Sequence, residues 1–201
     1  MIFYVLLDTS GSMEGAKIAA VNDAMSNLVS ELKQISNLTN LAVDLNVLSF
    51  GKQVKWKYDY PVNVDVFAWS PLSAGGMTPL GKACTELNLM LLSDNGRSHE
   101  KIYIILLSDG CPTDDYDEGI EALQANPRFT NSNRFAIAIG DNAEIPSLVR
   151  FVEYVNHVYI QNKTDELLDT LRSITYDLTT NKPNTSSADN DEIEEDDDEW
   201  A

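Results

Sequence analysis

Two rhythms of apolar residues alternate along the chain. Residues 2 to 8, IFYVLLD, form an unbroken apolar run closed by an aspartate, the pattern of a strand covered on both faces. Next, Val21, Ala24, Met25, Leu28, Val29, Leu32 and Ile35 recur at intervals of three and four, which predicts one face of a helix from Gly15 to Ser36. Residues 41 to 50, LAVDLNVLSF, alternate as a second strand, and Gly51-Lys52 turns the chain into VKWKYDY. There lysines alternate with aromatics, as on an edge strand facing solvent.

A loop rich in Pro, Ser and Gly, SPLSAGGMTPLG, precedes a helix marked by Leu80, Ala83, Cys84, Leu87 and Leu91. KIYIILLSDG then repeats the opening device, an apolar strand ending on Ser108-Asp109-Gly110. The pattern continues with a short helix after Thr113, a strand at RFAIAIG, a helix over Ile145 to Glu153, and a strand at HVYIQ. A last helix is predicted over residues 164 to 178, with Leu167, Leu168, Leu171, Ile174, Thr175 and Leu178 on one face. Such alternation predicts an α/β fold: a doubly wound, mostly parallel sheet of six strands with one antiparallel edge strand and helices on both faces. Binding sites in these folds lie beyond the carboxyl ends of the strands, so Asp8 and Asp109 are expected to share a rim.

Composition narrows the picture. The length of 201 residues fits one domain, expected over 1–180, with an acidic tail over 181–201. Residues 189 to 199, DNDEIEEDDDE, carry nine carboxylates and no basic residue, a block expected to stay disordered and suited to basic partners. A net charge of -18 disfavours nucleic acid and anionic lipid, and favours metal cations and basic surfaces. No apolar run approaches the ~20 residues needed to cross a bilayer, and the opening run, short and without a basic leader, is not expected to act as a signal peptide. A cytoplasmic location is expected. The two cysteines, Cys84 and Cys111, make no disulfide framework and no metal spacing, and His99 and His157 stand alone.

Asp8, Ser10 and Ser12, in DTSGS, supply only oxygen, as does Asp109. Two hydroxyls and two carboxylates without His or Cys nearby imply a hard cation, with Mg²⁺ the first choice and Mn²⁺ or Ca²⁺ possible substitutes. A further ligand is offered by Thr78 in GGMTPLG, where Gly75 and Gly76 allow a sharp turn and Pro79 suits the first turn of a helix. The acids Asp114, Asp115, Asp117 and Glu118 read as first-turn residues answering a helix dipole rather than as a second cation site.

DTSGS at 8 to 12, Thr78 in its glycine-rich loop and SDG at 108 to 110 resemble the three segments of the metal-ion-dependent adhesion site of von Willebrand factor A domains. SDGCPTDD further resembles the bacterial branch associated with tellurite resistance and stress operons. The resemblance implies a Rossmann-like fold and the complete set of site residues. Ser10, Ser12 and Thr78 would bind Mg²⁺ through hydroxyls, with Asp8 and Asp109 acting largely through bridging water. It also implies a function: neutral direct ligands leave the cation electrophilic, so that an Asp or Glu of a partner protein completes the coordination.

Two other readings compete with this one. LLDTSGS has a distant look of the aspartic-protease turn, in which two aspartates share a proton, but a serine interrupts its D-T-G and the chain is rich in helix. No phosphate loop, dinucleotide fingerprint or nucleophile elbow is present, so no enzyme is expected. The remaining alternative is a structural subunit whose metal merely stiffens the rim.

Overall fold

The unbroken apolar run at the start of the chain is a strand buried on both faces, and its residues divide between two cores by parity. In β1 (Ile2–Asp8), Ile2, Tyr4 and Leu6 enter one core, while Phe3, Val5 and Leu7 enter the other. β5 (Ile102–Ser108) divides in the same way, with Ile102, Ile104 and Leu106 on one side and Tyr103, Ile105 and Leu107 on the other. The computed structural model describes residues 1–93, 100–161, 169–170 and 172–173.

Between those strands lie α1 (Ala16–Thr39), β2 (Asp44–Phe50), β3 (Val54–Trp56), β4 (Val62–Asn63) and α2 (Leu80–Ser93). After β5 come α3 (Tyr116–Gln124), α4 (Pro127–Thr130), β6 (Asn133–Ile139), α5 (Ile145–Val152) and β7 (Val158–Gln161). The sheet order is β3-β2-β1-β5-β6-β7, with β4 also paired to β2. β1, β2, β5, β6 and β7 are mutually parallel, as alternating strands and helices require. α1 covers one face through Val21, Ala24, Met25, Leu28, Val29 and Leu32. The other face is covered by α2, α3 and α5, where all five predicted α2 positions are fully buried.

The chain leaves β1 for β2 on one side and reaches β5 on the other. The order therefore reverses at β1 and β5, whose carboxyl ends open the crevice in which such sheets bind ligands.

Two elements differ from expectation. The single antiparallel edge strand is two short pieces, β3 and β4, both antiparallel to β2. Buried Asn46 explains the break: its amide donates to the Tyr58 carbonyl at 2.9 Å and its Oδ1 accepts from the Tyr58 N–H at 3.2 Å, replacing ladder bonds where the chain bends out. An extra turn of helix, α4, follows Asn126, whose Oδ1 accepts from the Arg128 N–H at 2.9 Å, with Pro127 fixing the first helical φ.

The predicted last helix falls largely outside the described residues, as do His99 and the acidic tail. Its visible part is tied down: Arg172 pairs with Glu31 of α1, and Thr170 accepts from Gln161 of β7 at 2.6 Å.

Helices α2 and α3 pack backbone to backbone. A Cβ added at Gly119 would lie 2.2 Å from the Gly81 carbonyl oxygen, and one at Gly81 would lie 2.2 Å from that of Asp115. Replacing Gly119 by Ala should gain ~1 kcal/mol of helix propensity and lose more through forced separation of the helices. The expected outcome is a net loss of about 1–3 kcal/mol, measured as a lower urea midpoint at unchanged slope.

Candidate metal centre

The register of β1 on β5 sets the geometry. Leu7 lies opposite Leu107, so Asp8 falls beside Ser108, and Asp109 stands one residue beyond the ladder. Asp8 is fully buried and Asp109 is 4 % exposed. The Asp8 carboxylate is held from both sides: Oδ1 accepts from the Ser10 N–H at 2.8 Å and Oδ2 from the Ser108 hydroxyl at 2.6 Å. Ser108 Oγ in turn accepts from the Gly110 N–H at 2.9 Å. Burial nevertheless pushes the Asp8 carboxyl above its ordinary range, against the pull of the Ser10 and Ser108 hydrogen bonds, and the nearby Asp109 charge adds to the rise.

The turn after β1 brings two hydroxyls together, with Ser10 Oγ and Ser12 Oγ 2.9 Å apart, Ser10 buried and Ser12 exposed. Thr9 anchors this turn, its N–H donating to Phe50 O at 2.7 Å and its hydroxyl to the same oxygen at 3.0 Å. The glycine-rich loop is stitched to it: Gly75 N–H donates to Thr9 O at 2.7 Å, and Gly11 N–H to Gly76 O at 2.9 Å. Gly75 and Gly76 have φ of 146° and 91°, values a side chain rarely tolerates. Thr78, 4 % exposed, is clasped by Thr113, which receives its N–H at 2.9 Å and returns its own to Thr78 O at 3.0 Å.

All five predicted residues thus stand at the same end of the sheet, Asp8 as the last residue of β1 and the others beyond their strands. Asp8, Ser10 and Ser12 are linked directly, and Thr78 is brought alongside through main-chain bonds to the same turn. Asp109 lies across the rim: its carbonyl accepts from the Glu144 N–H at 2.6 Å, its Oδ2 faces the Lys17 ammonium at 3.5 Å, and its Oδ1 is buried without a protein partner. Asp8 and Asp109 share no hydrogen bond, and their oxygens with partners find them elsewhere.

Among the described residues no group of three or more His, Cys, Asp or Glu could hold a metal, so a cation site here would draw on neutral oxygen as well. The donor set fits: two hydroxyls in contact, a threonine on the adjoining loop, and a buried carboxylate oxygen lacking a donor.

Three contributors escaped the sequence reading. Ser108 was visible inside the SDG triplet, but its hydroxyl bond to Asp8 depends on strand register. Thr113 carried no signal. Lys17 was legible as an oddity, a cation in the first turn of a helix, where acids are favoured. Of the acids expected in a first turn, Asp117 and Glu118 are there in α3 and Asp114 is not. Asp115 caps α3, accepting from the Glu118 N–H, and Asp117 pairs with Arg150. Asp114 caps α2 instead, its two oxygens accepting from Gly81 and Lys82 N–H at 2.9 and 2.8 Å.

Both thiols are held protonated. Burial raises Cys84, and burial with the Asp109, Glu144 and Asp8 charges raises exposed Cys111, so neither is an activated thiolate.

A family model described as the von Willebrand factor type A domain matches residues 3–174. No curated protein matches the sequence. Among solved structures, the pilus adhesin SpaC from Lactobacillus rhamnosus GG, in its open conformation, is similar with a TM-score of 0.69 and 15% identity, over 90% of this chain and 30% of that one. The ArnB paralog VWA2 from Sulfolobus acidocaldarius gives 0.65 and 24%, over 85% and 44%. Proximal thread matrix protein 1 from the mussel byssus, whose MIDAS motif is occupied by zinc, gives 0.64 and 15%, over 89% and 45%. This chain spans less than half of each.

The buried Asp8 charge has a measurable sign. Its folded-state pKa lies above the unfolded value, so ionising it costs stability as pH rises through the folded pKa, and that cost is absent below the ordinary aspartate range. In EDTA at pH 7, Asp8→Asn should therefore be more stable than the wild type. The gap should close as pH falls and the wild-type carboxyl protonates, as checked by chemical denaturation across pH.

Proposed function

The chain belongs to the von Willebrand factor type A domain family, and on that premise we propose that it is a protein-interaction module whose rim holds Mg²⁺ and uses it to grip a carboxylate of a partner. The observation that carries the reading is the hydroxyl pair Ser10–Ser12, 2.9 Å apart, at the end of the sheet where Asp109 keeps a buried oxygen that has no donor of its own. Ser10, Ser12 and Thr78 are assigned as direct ligands, and Asp8 and Asp109 as carboxylates acting through water. When bound, the cation supplies Lewis acidity toward an incoming oxygen anion.

The chain's own residues shape that chemistry. Ser108 and the Ser10 N–H occupy both Asp8 oxygens, which restrains Asp8 from direct coordination and favours the role through water. Ser10 and Ser12 then contribute neutral oxygen, which satisfies a hard cation without cancelling its charge. Gly75 and Gly76 let the loop that carries Thr78 turn back onto the serine turn. Ser12, the exposed member, marks the side from which a partner's Asp or Glu arrives.

The reading includes a cytoplasmic setting, in keeping with two free cysteines, and a place in a stress-response or assembly complex, supported by SDGCPTDD. Binding rather than catalysis is its content. Among the described residues no helix is long and apolar enough to cross a membrane. The carboxylates of 189–199 serve, in this reading, solubility and contact with basic partners.

Calorimetry with Mg²⁺ on chelator-stripped protein is the first test. Ser12→Ala should weaken uptake roughly tenfold or more, by analogy with the losses seen even for outer-shell partners, and leave the unfolding midpoint in EDTA unchanged. Capture of a partner by the wild type should require Mg²⁺ and fail with Ser12→Ala. Loss of stability with partner capture intact would identify the metal as a stiffener, and absence of Mg²⁺ uptake by the wild type would end the proposal.

A further inference from the structure

Lys17 sits where a cation is locally unwelcome. It is the second residue of α1, and the first turn of that helix carries no acid to answer the positive end of the helix dipole. Its ammonium is instead directed at Asp109, with Nζ 3.5 Å from Oδ2.

The path of the side chain is built, not incidental. Its methylenes cross Gly140, which follows β6 with φ of 94°, and a Cβ there would lie 2.7 Å from Lys17 Cε and 3.0 Å from Nζ. A residue with any side chain at 140 would close the track. The Lys17 side chain is 31 % exposed and that of Asp109 is 6 %, so the pair sits at the mouth of the crevice with its acid buried.

We propose that Lys17 is a counter-charge belonging to the metal centre, which weakens the cation's hold and strengthens the hold on a carboxylate. The inference rests on the metal-centre reading and deepens it.

The argument is one of charge. Asp8 and Asp109 together bring two negative charges to the rim, and a divalent cation would cancel both. A neutral centre gives an incoming carboxylate no net attraction beyond the vacant coordination position. With Lys17 included, the residues carry a charge of one negative unit, and the loaded centre carries one positive unit. Lys17 also satisfies Asp109 Oδ2 and leaves Oδ1, the oxygen without a donor, to face the cation or its water. Selectivity follows, since a monovalent cation would leave the centre neutral and only a divalent one would make it a receptor for an acid.

The two effects have opposite signs, so one substitution tests both. Lys17→Met keeps the hydrocarbon stem across Gly140 and removes the charge. It should tighten Mg²⁺ binding by roughly fivefold, a Coulomb effect discounted for partial exposure. Acetate, titrated at saturating Mn²⁺ and constant ionic strength and read through loss of water-proton relaxation, should bind several-fold more weakly. Lys17→Arg, which keeps the charge, should restore both values toward wild type.

Unchanged or weaker Mg²⁺ binding in Lys17→Met, with wild-type uptake normal, would overturn the counter-charge and leave the metal centre standing. Tighter Mg²⁺ with unaltered acetate affinity would overturn the receptor half of the proposal. No Mg²⁺ uptake by the wild type would remove the metal centre and this inference with it. If Lys17→Met fails to fold, Lys17→Gln provides the same charge change, and the same outcomes apply.

Discussion

The alignment of β1 on β5 is the constraint from which the rest of this molecule follows. With Leu7 opposite Leu107, the first carboxylate of the rim lies beside a serine hydroxyl and the second lies one step further out. A slip of one residue would invert the faces of every side chain in two strands that are buried throughout, which makes the register strongly specified. The same slip would bring Asp109 against Asp8 and leave two buried acids side by side. The core and the charge arrangement thus demand the same register, so the site costs no separate folding decision.

Around that register the fold manages an electrostatic liability. Asp8 is inside the protein, and its hydrogen bonds from Ser10 and Ser108 do not fully offset desolvation. The remaining compensation comes, in the proposed function, from a divalent cation, while Lys17 at the mouth answers Asp109. Glycines recur wherever the rim must be approached closely: Gly75 and Gly76 beneath the Lys52 stem, and Gly140 beneath that of Lys17. In both places a lysine lies flat over a residue with positive φ, which brings two ammonium groups to one end of a strongly acidic chain.

Much of this was legible beforehand, and the boundary of legibility has physical causes. Strand and helix identities followed from periodicity, because β1 and β5 are buried on both faces and α1 and α2 on one. Asp8 and Asp109 could be placed on a common rim because parallel strands put their carboxyl ends together. The Ser108 hydroxyl bond, the Thr113 clasp and the Lys17 pair were not legible, since each joins residues at least 35 apart through register or loop closure, which no local pattern encodes. The antiparallel edge was foreseen, but its division into two pieces was not, for a similar reason. Asn46, buried within a strand, captures the main chain of Tyr58 and interrupts what alternation alone would continue. Asp114 illustrates a subtler limit: its role as a cap was foreseeable, but the helix it caps is the one before it in sequence.

The contact between Gly81 and Gly119 has an implication for inheritance. Thr78, the Asp114 cap on α2 and the two facing glycines lock the loop and two helices into one block, in which no part is fitted to its neighbours independently. A crossover between related genes that fell from Thr78 to Gly119 would unite halves whose backbones were never shaped to touch. Breakpoints before the glycine loop or beyond Gln124 spare the block, so chimeras of such domains should survive with junctions at those two boundaries and fail with junctions between them.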